Sequence, residues 1–191
     1  MPDTFSDLYK KGEKPFGQEP PEYFHEALTY IKQGSALDLG GGYGRFSLYL
    51  AQLGLKVTNV DISADGINKF SNKIKELQLN ATGIVKDITE FVFEKSYDNI
   101  LCTTTLHLLG KEKALQLLDK IKHYTVLNGI NFISGFVKEH NGLFEKKVPS
   151  NNDFLTSYLN WEILYYKKCI VTNINKERIQ YFVLVAKKWP K

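Results

Sequence analysis

Apolar positions along the chain follow two alternating spacings, and the alternation predicts the elements. From Pro21, residues Phe24, Leu28 and Ile31 fall at helical spacing, with proline tolerated at a helix start and Gly34 marking the end. SALDLGGG is a short apolar run broken by glycines, which reads as a buried strand turning sharply into the helix GRFSLYLAQLG. LKVTNVD predicts a second strand, after which Ser63 caps a helix whose apolar face is Ile67, Phe70, Ile74 and Leu77. ATGIVKD and YDNILCTTTLHLL read as the third and fourth strands. KEKALQLLDKIKHY is a helix with Ala114, Leu117 and Ile121 in its stripe, and NGINFISGFV is a fifth strand. The tail changes character: WEILYYKKCIVTNI and RIQYFVLVAKKW are β-rich and meet at a polar turn from Asn173 to Glu177, the pattern of an antiparallel hairpin.

Alternating strands and helices followed by a terminal β pair predict an α/β fold. We expect a Rossmann-like, doubly wound, mostly parallel seven-stranded sheet with a C-terminal antiparallel hairpin and helices on both faces. The 191 residues suit one domain over residues 21–191, preceded by a polar arm, residues 1–20, studded with Phe5, Tyr9 and Phe16. KEHNGLFEKKVPSNNDF, residues 138–154, reads as a long loop because it is polar and carries Gly142, Pro149 and Asn151–Asn152.

Composition narrows the function classes. With 43% hydrophobic and 24% charged residues, a real core is expected and disorder is excluded. The net charge of +4 is spread over short lysine clusters rather than one face, which argues against nucleic acid as a partner. No apolar run reaches the roughly 18 residues of a membrane span, and the N-terminus lacks the apolar stretch of a signal peptide, so the expected location is the cytoplasm. Cys102 and Cys169 lie in apolar β-like runs without CxxC spacing and read as buried free thiols. His25, His123 and His140 show no ligand spacing, so no metal is assigned. A small-molecule partner and a monomer or homodimer are expected.

The chemistry concentrates in the first strand-to-helix turn. In a doubly wound sheet, ligands bind beyond the carboxyl ends of the strands where strand order reverses, and Gly40, Gly41, Gly42 and Gly44 occupy that turn. Glycines there allow positive φ and close approach of a nucleoside-sized ligand. The dinucleotide fingerprint G-x-G-x-x-G/A fails, because counting from Gly40 ends on Arg45 and counting from Gly42 ends on Ser47. A phosphate-binding Walker loop fails too, since no lysine follows any glycine of the cluster.

What is present is D-x-G-x-G-x-G, from Asp38 to Gly44, with Asp61 directly after the next strand and Asp87 after the third. This resembles the signature of class I S-adenosylmethionine-dependent methyltransferases. The resemblance implies that Asp38 and the glycines face the amino-acid part of the cofactor, that Asp61 binds both ribose hydroxyls, and that Asp87 meets the adenine amino group. Ile62 and Ile88 would lie beside the ring, and Thr103 at the end of the fourth strand would complete the contacts. A carboxylate suits a vicinal diol because it offers two acceptor oxygens. Taken singly, each acid also suits a helix cap or a solvated turn.

The segments GQEPPEYFHEAL, ALDLGGGYGRFSLYLAQLGLKVTNVDIS, YDNILCTTTLHLL and YLNWEILYY look more narrowly like the tellurite-resistance methyltransferase family. That implies S-adenosylmethionine as cofactor, S-adenosylhomocysteine as product, and a tellurium or selenium oxyanion or a thiol as acceptor. The chain departs from the pattern in carrying Gly-Gly-Gly where such enzymes often have Gly-Cys-Gly. His107 is the candidate base if one is used, the alternative being a histidine packed at a helix start. Arg45 either holds an anion or caps carbonyls, while Tyr43, Tyr158, Trp161 and Tyr165 either roof the pocket or belong to the core. A non-catalytic cofactor-binding regulator is the competing reading. The signature D/N-P-P-Y/F of base-modifying enzymes is absent, with Thr103, Thr104 and Thr105 in its place.

Overall fold

The computed structural model describes residues 17, 19–136, 149–172 and 178–190. Seven strands form one sheet: β1 (Ser35–Leu39), β2 (Lys56–Asp61), β3 (Ala81–Val85), β4 (Tyr97–Thr103), β5 (Thr125–Phe136), β6 (Glu162–Thr172) and β7 (Arg178–Lys187). The helices are α1 (Glu22–Leu28), α2 (Arg45–Gln52), α3 (Ala64–Glu76), α4 (Lys111–His123) and α5 (Asn151–Ser157), with a short 3-10 turn at Leu106–Leu108. Strand order is β3-β2-β1-β4-β5-β7-β6. The first five strands pair in parallel, and β7 runs antiparallel between β5 and β6. This is the expected sheet.

Apolar residues of the central strands alternate between two cores. Leu37, Leu39, Ile100, Cys102 and Ile133 pack with α4 and α5 on one face, while Ala36, Val57, Leu101, Ile130 and Phe132 pack with α1 and α2 on the other. β7 shows why its sequence YFVLVA reads as a continuous apolar run: Tyr181, Val183 and Val185 face one core and Phe182, Leu184 and Ala186 the other. Ser63 caps α3 as expected, its Oγ accepting from Gly66 N at 3.2 Å.

Two boundaries and the burial of one cysteine differ from expectation. α1 stops at Leu28, and the left-handed Gly34 (φ 121°) belongs to the turn into β1. The expected loop over 138–154 contains the start of α5, which is nucleated by a capping box: Ser150 Oγ accepts from Asp153 N, and Asp153 accepts from Ser150 N. The composition SNND that reads as loop is here a helix start, and tertiary packing of Phe154 and Tyr158 into the core decides between them. Cys102 is buried, but Cys169 on the outer strand β6 is only half-buried. The hairpin turn at 173–177, the rest of the expected loop and most of the N-terminal arm lie outside the described residues.

Candidate functional site

Strand order reverses between β1 and β4, which are neighbours although two strands separate them in the chain. A cavity opens there above the carboxyl ends of the parallel strands, lined by Gly40, Gly41, Gly42, Asp61, Ile62, Asp87, Ile88 and Thr103 from the expected set. Tyr43, Arg45, Phe46, Ser63, Thr104, Thr105, Leu108 and Leu109 complete the wall.

The glycine turn is held from below. Gly40 (φ 77°) and Gly42 (φ 56°) adopt left-handed conformations, and Gly40 N donates to Val60 O at 2.7 Å. A side chain on Gly41 would strike Asn59 Oδ1 at 2.4 Å and Asp38 Oδ2 at 2.6 Å. Asn59 donates from Nδ2 to Gly42 O at 3.2 Å, while its own Oδ1 and Asp38 Oδ1 are enclosed without a hydrogen-bond partner among the described residues. Asp38 is fully buried, and Ser47 Oγ donates to its Oδ2 at 2.6 Å. Burial pushes its carboxyl up to about 6, against the lowering effect of Ser47.

Asp61 links the turn to the next strand. Its Oδ2 accepts from Gly42 N and its Oδ1 from Ser63 N, each at 2.8 Å, so the carboxylate is fixed at the cavity wall by two backbone donors. Asp87 is shaped in the same way: Thr89 donates to its Oδ1 from both N and Oγ1, at 2.8 and 2.7 Å, and these bonds hold its carboxyl below the usual range. Between the two acids Ile62 is 63% exposed, an apolar side chain left open at a cavity wall, opposite the buried Ile88. A flat apolar ligand group would cover Ile62.

Across the β4 flank, Thr105 Oγ1 donates to Thr103 O at 2.9 Å and to Gly40 O at 3.4 Å, tying the two strand ends that frame the cavity. The sequence gives the neighbouring Thr104, Leu108 and Leu109 no role at the cofactor. They fall inside the run YDNILCTTTLHLL that reads as the fourth strand, which in the fold ends at Thr103, so no motif marks them.

The family described as "Tellurite resistance protein TehB" matches residues 20–180. The chain belongs to this family. A relative from Haemophilus influenzae, named "Probable S-adenosyl-L-methionine-dependent methyltransferase TehB", is 28% identical over 179 residues, covering 85% of this chain and 60% of that protein. The crystal structure of TehB from Haemophilus influenzae superposes with a TM-score of 0.78 at 26% identity, over 97% of this chain and 66% of that one. Pavine N-methyltransferase from Thalictrum flavum subsp. glaucum is 30% identical over 147 residues, 73% of this chain and 37% of that protein. The chain thus spans about three fifths of the length of its Haemophilus relative.

In this TehB-family chain, two residues expected at the cofactor site, Asp38 and Gly44, and the candidate base His107 do not line the cavity. Asp38 lies beneath the glycine turn, and Gly44 (φ 86°) is the N-cap of α2, where a side chain would strike Phe70 at 2.2 Å. His107 sits on the 3-10 turn with its ring edge-on to Phe136, centroids 4.6 Å apart, and its Nδ1 is enclosed without a partner among the described residues. Burial pulls its pKa down to about 4, so the imidazole is neutral at neutral pH. Tyr158 is a core residue donating to Asn131 Oδ1 at 3.0 Å, Trp161 packs edge-on against it, and Tyr165 lies beside Tyr30; none of the three lines the cavity. Tyr43 and Arg45 do, and the Arg45 guanidinium lies 5.1 Å from the Phe46 ring centroid. No described helix is long and apolar enough to cross a membrane.

Proposed function

We propose that this protein is an S-adenosylmethionine-dependent methyltransferase acting on a small acceptor, a tellurium or selenium oxyanion or a thiol. The observation that carries the cofactor is Asp61, locked by Gly42 N and Ser63 N at the rim of a glycine turn, with the exposed Ile62 beside it. A carboxylate there suits a ribose diol, Ile62 and Ile88 suit an adenine ring, and Asp87 stands at the third strand end for its amino group. Family membership and the names of its relatives support the same cofactor.

When bound, that cofactor supplies an activated methyl group: a lone pair of the acceptor forms the new bond to carbon as the carbon–sulfur bond breaks and its electron pair stays on sulfur. The chain's own part is to bind, orient and exclude water. Orientation of two reactants is worth up to roughly 7–11 kcal/mol in favourable cases. The charged residues among the described cavity wall are Asp61, Asp87 and Arg45, and the neutral His107 stands off it. Acceptors that bring their own lone pair suit this wall best: a chalcogen oxyanion, a thiolate, or an amine of the kind that pavine N-methyltransferase is named for.

Calorimetric titration with S-adenosylhomocysteine tests the reading. Wild-type protein should bind, and Asp61→Ala should lose about tenfold or more in affinity, in line with loss of a charged hydrogen-bond acceptor. Folded wild-type protein that does not bind would overturn it.

A further inference from the structure

Beneath the glycine turn, two enclosed oxygens without partners belong to residues that face each other. Asp38 and Asn59 pair in register across β1 and β2, so their side chains leave the sheet on the same face, and both are fully buried. The point where a side chain on Gly41 would stand lies 2.4 Å from Asn59 Oδ1 and 2.6 Å from Asp38 Oδ2, which brings the amide and the carboxyl together under one residue. Ser47 Oγ donates to Asp38 Oδ2, and Asn59 uses Nδ2 to hold Gly42 O. Asp38 Oδ1 and Asn59 Oδ1 are left over, each without a hydrogen-bond partner among the described residues.

An ionised carboxylate and an amide oxygen are both acceptors, so an ionised Asp38 would set two unpaired acceptors side by side where water does not reach. One proton resolves both. Protonated Asp38 becomes a donor through its open oxygen, and Asn59 Oδ1 accepts. Burial acts in the same direction, raising the Asp38 carboxyl to about 6. The groups that face it are Asp61 at the end of β2, whose charge opposes ionisation, Arg45 on α2, whose charge favours it, and the enclosed Cys102 thiol on β4, which burial keeps protonated. Loss of the proton reverses the demand on Asn59. Turned over, its amide donates to the carboxylate, and its oxygen then faces Gly42 O, so the bond that holds that carbonyl is exchanged for repulsion. Gly42 N is one of the two donors that fix Asp61 at the cavity wall, so a shift of Gly42 reaches the carboxylate assigned to the ribose.

We propose that Asp38 and Asn59 are a proton-sharing pair that positions the glycine turn, and that cofactor affinity follows the proton on Asp38. The protonated pair holds Gly42 in the binding geometry, and the ionised pair releases it. This rests on the methyltransferase reading above and adds a regulation to its cofactor site. The sign follows from which state binds: affinity is full below the pH at which Asp38 ionises and falls above it, and the bound ligand in turn holds the proton on Asp38 more tightly.

The test is calorimetric titration with S-adenosylhomocysteine from about pH 5 to about pH 7 in wild type, Asp38→Asn and Asn59→Ala, with a melting curve for each. NMR of the aspartate carboxyl carbons over the same range reads the proton directly. Wild-type affinity should fall by about tenfold across the range, the loss of binding-competent fraction for a group that ionises at about 6. Asp38→Asn supplies an amide donor at every pH, so the fall should disappear. In Asn59→Ala the Asp38 carboxyl should still titrate while affinity no longer follows it, because the link to Gly42 is gone. A wild-type affinity that stays flat or rises with pH overturns the proposal, as does a fall that survives in either folded variant. Should Asn59→Ala not fold, the isosteric Asp38→Asn decides. Wild type also decides without any variant: the midpoint of the Asp38 carboxyl should move up when S-adenosylhomocysteine is bound, and an unmoved midpoint overturns the proposal. Wild type that binds equally well across the range overturns the pair and leaves the cofactor reading standing; wild type that binds at no pH overturns that reading too.

Discussion

Burial raises the Asp38 carboxyl to about 6 and lowers the His107 imidazole to about 4, and the two residues tilt stability with pH in opposite directions. For Asp38 the folded value lies above the ordinary 3.8, so the unfolded chain gives up its proton first. Stability from this group is therefore full below about pH 4 and falls by roughly 3 kcal/mol as pH rises to about 6. In Asp38→Asn that loss disappears, and urea unfolding should show the variant gaining on wild type between those pH values. For His107 the folded value lies below 6.5, so stability is full above that pH and is lost as pH falls towards 4. His107→Gln should gain on wild type on acidification, by up to roughly 3 kcal/mol at pH 4. A difference from wild type that stays flat with pH would show that neither group is enclosed as described.

Among the elements, the glycine turn carries the tightest constraint. Gly41→Ala would place a methyl within 2.4 Å of Asn59 Oδ1 and 2.6 Å of Asp38 Oδ2, both on buried side chains, so the turn must lift. We expect a loss of about 1–3 kcal/mol in unfolding free energy together with weakened S-adenosylhomocysteine binding. Ser63→Ala removes the cap of α3 and should cost about 1 kcal/mol, measured in the same unfolding assay. Because Ser63 N also holds Asp61 through its backbone, which the substitution keeps, cofactor affinity should change far less than in Gly41→Ala. The contrast separates the stability of the element from the geometry of the turn.

At the scale of the molecule, a ligand bound across the ends of β1, β2, β3 and β4 ties together strands far apart in the chain. S-adenosylhomocysteine at about one hundred times its dissociation constant should stabilise the folded state by about 2.7 kcal/mol. For a domain of this size that is a rise of about 5–10 °C in Tm by calorimetry. An unshifted Tm at saturating ligand would argue against the site.

The sequence alone determined the element order, the parallel sheet with its antiparallel end, the glycine turn, and Asp61 and Asp87 as cavity residues. Each of these is local: periodicity marks a strand or a helix, and an acid directly after a parallel strand sits at that strand's carboxyl end whatever the neighbours are. Tertiary structure decided the rest. Asp38 belongs to the same motif as the cavity-lining glycines, but the side chain of a β1 residue turns under the glycine turn, into a pocket closed by Ser47 and Asn59. His107 reads either as a candidate base or as a histidine packed at a helix start, and only the fold brings Phe136 from β5 against its ring. Residues 151–154 read as the end of a loop and instead open the helix Asn151–Ser157, because Phe154 and the capping Tyr158 find a core to enter. The hydroxyl contacts of Tyr181 with Ser134 and Thr104 join three strand ends that no spacing relates, since β7 comes to lie beside β5 only when the sheet closes. Local pattern fixes which way a residue faces along its own element; which partner waits there depends on contacts between residues distant in the chain.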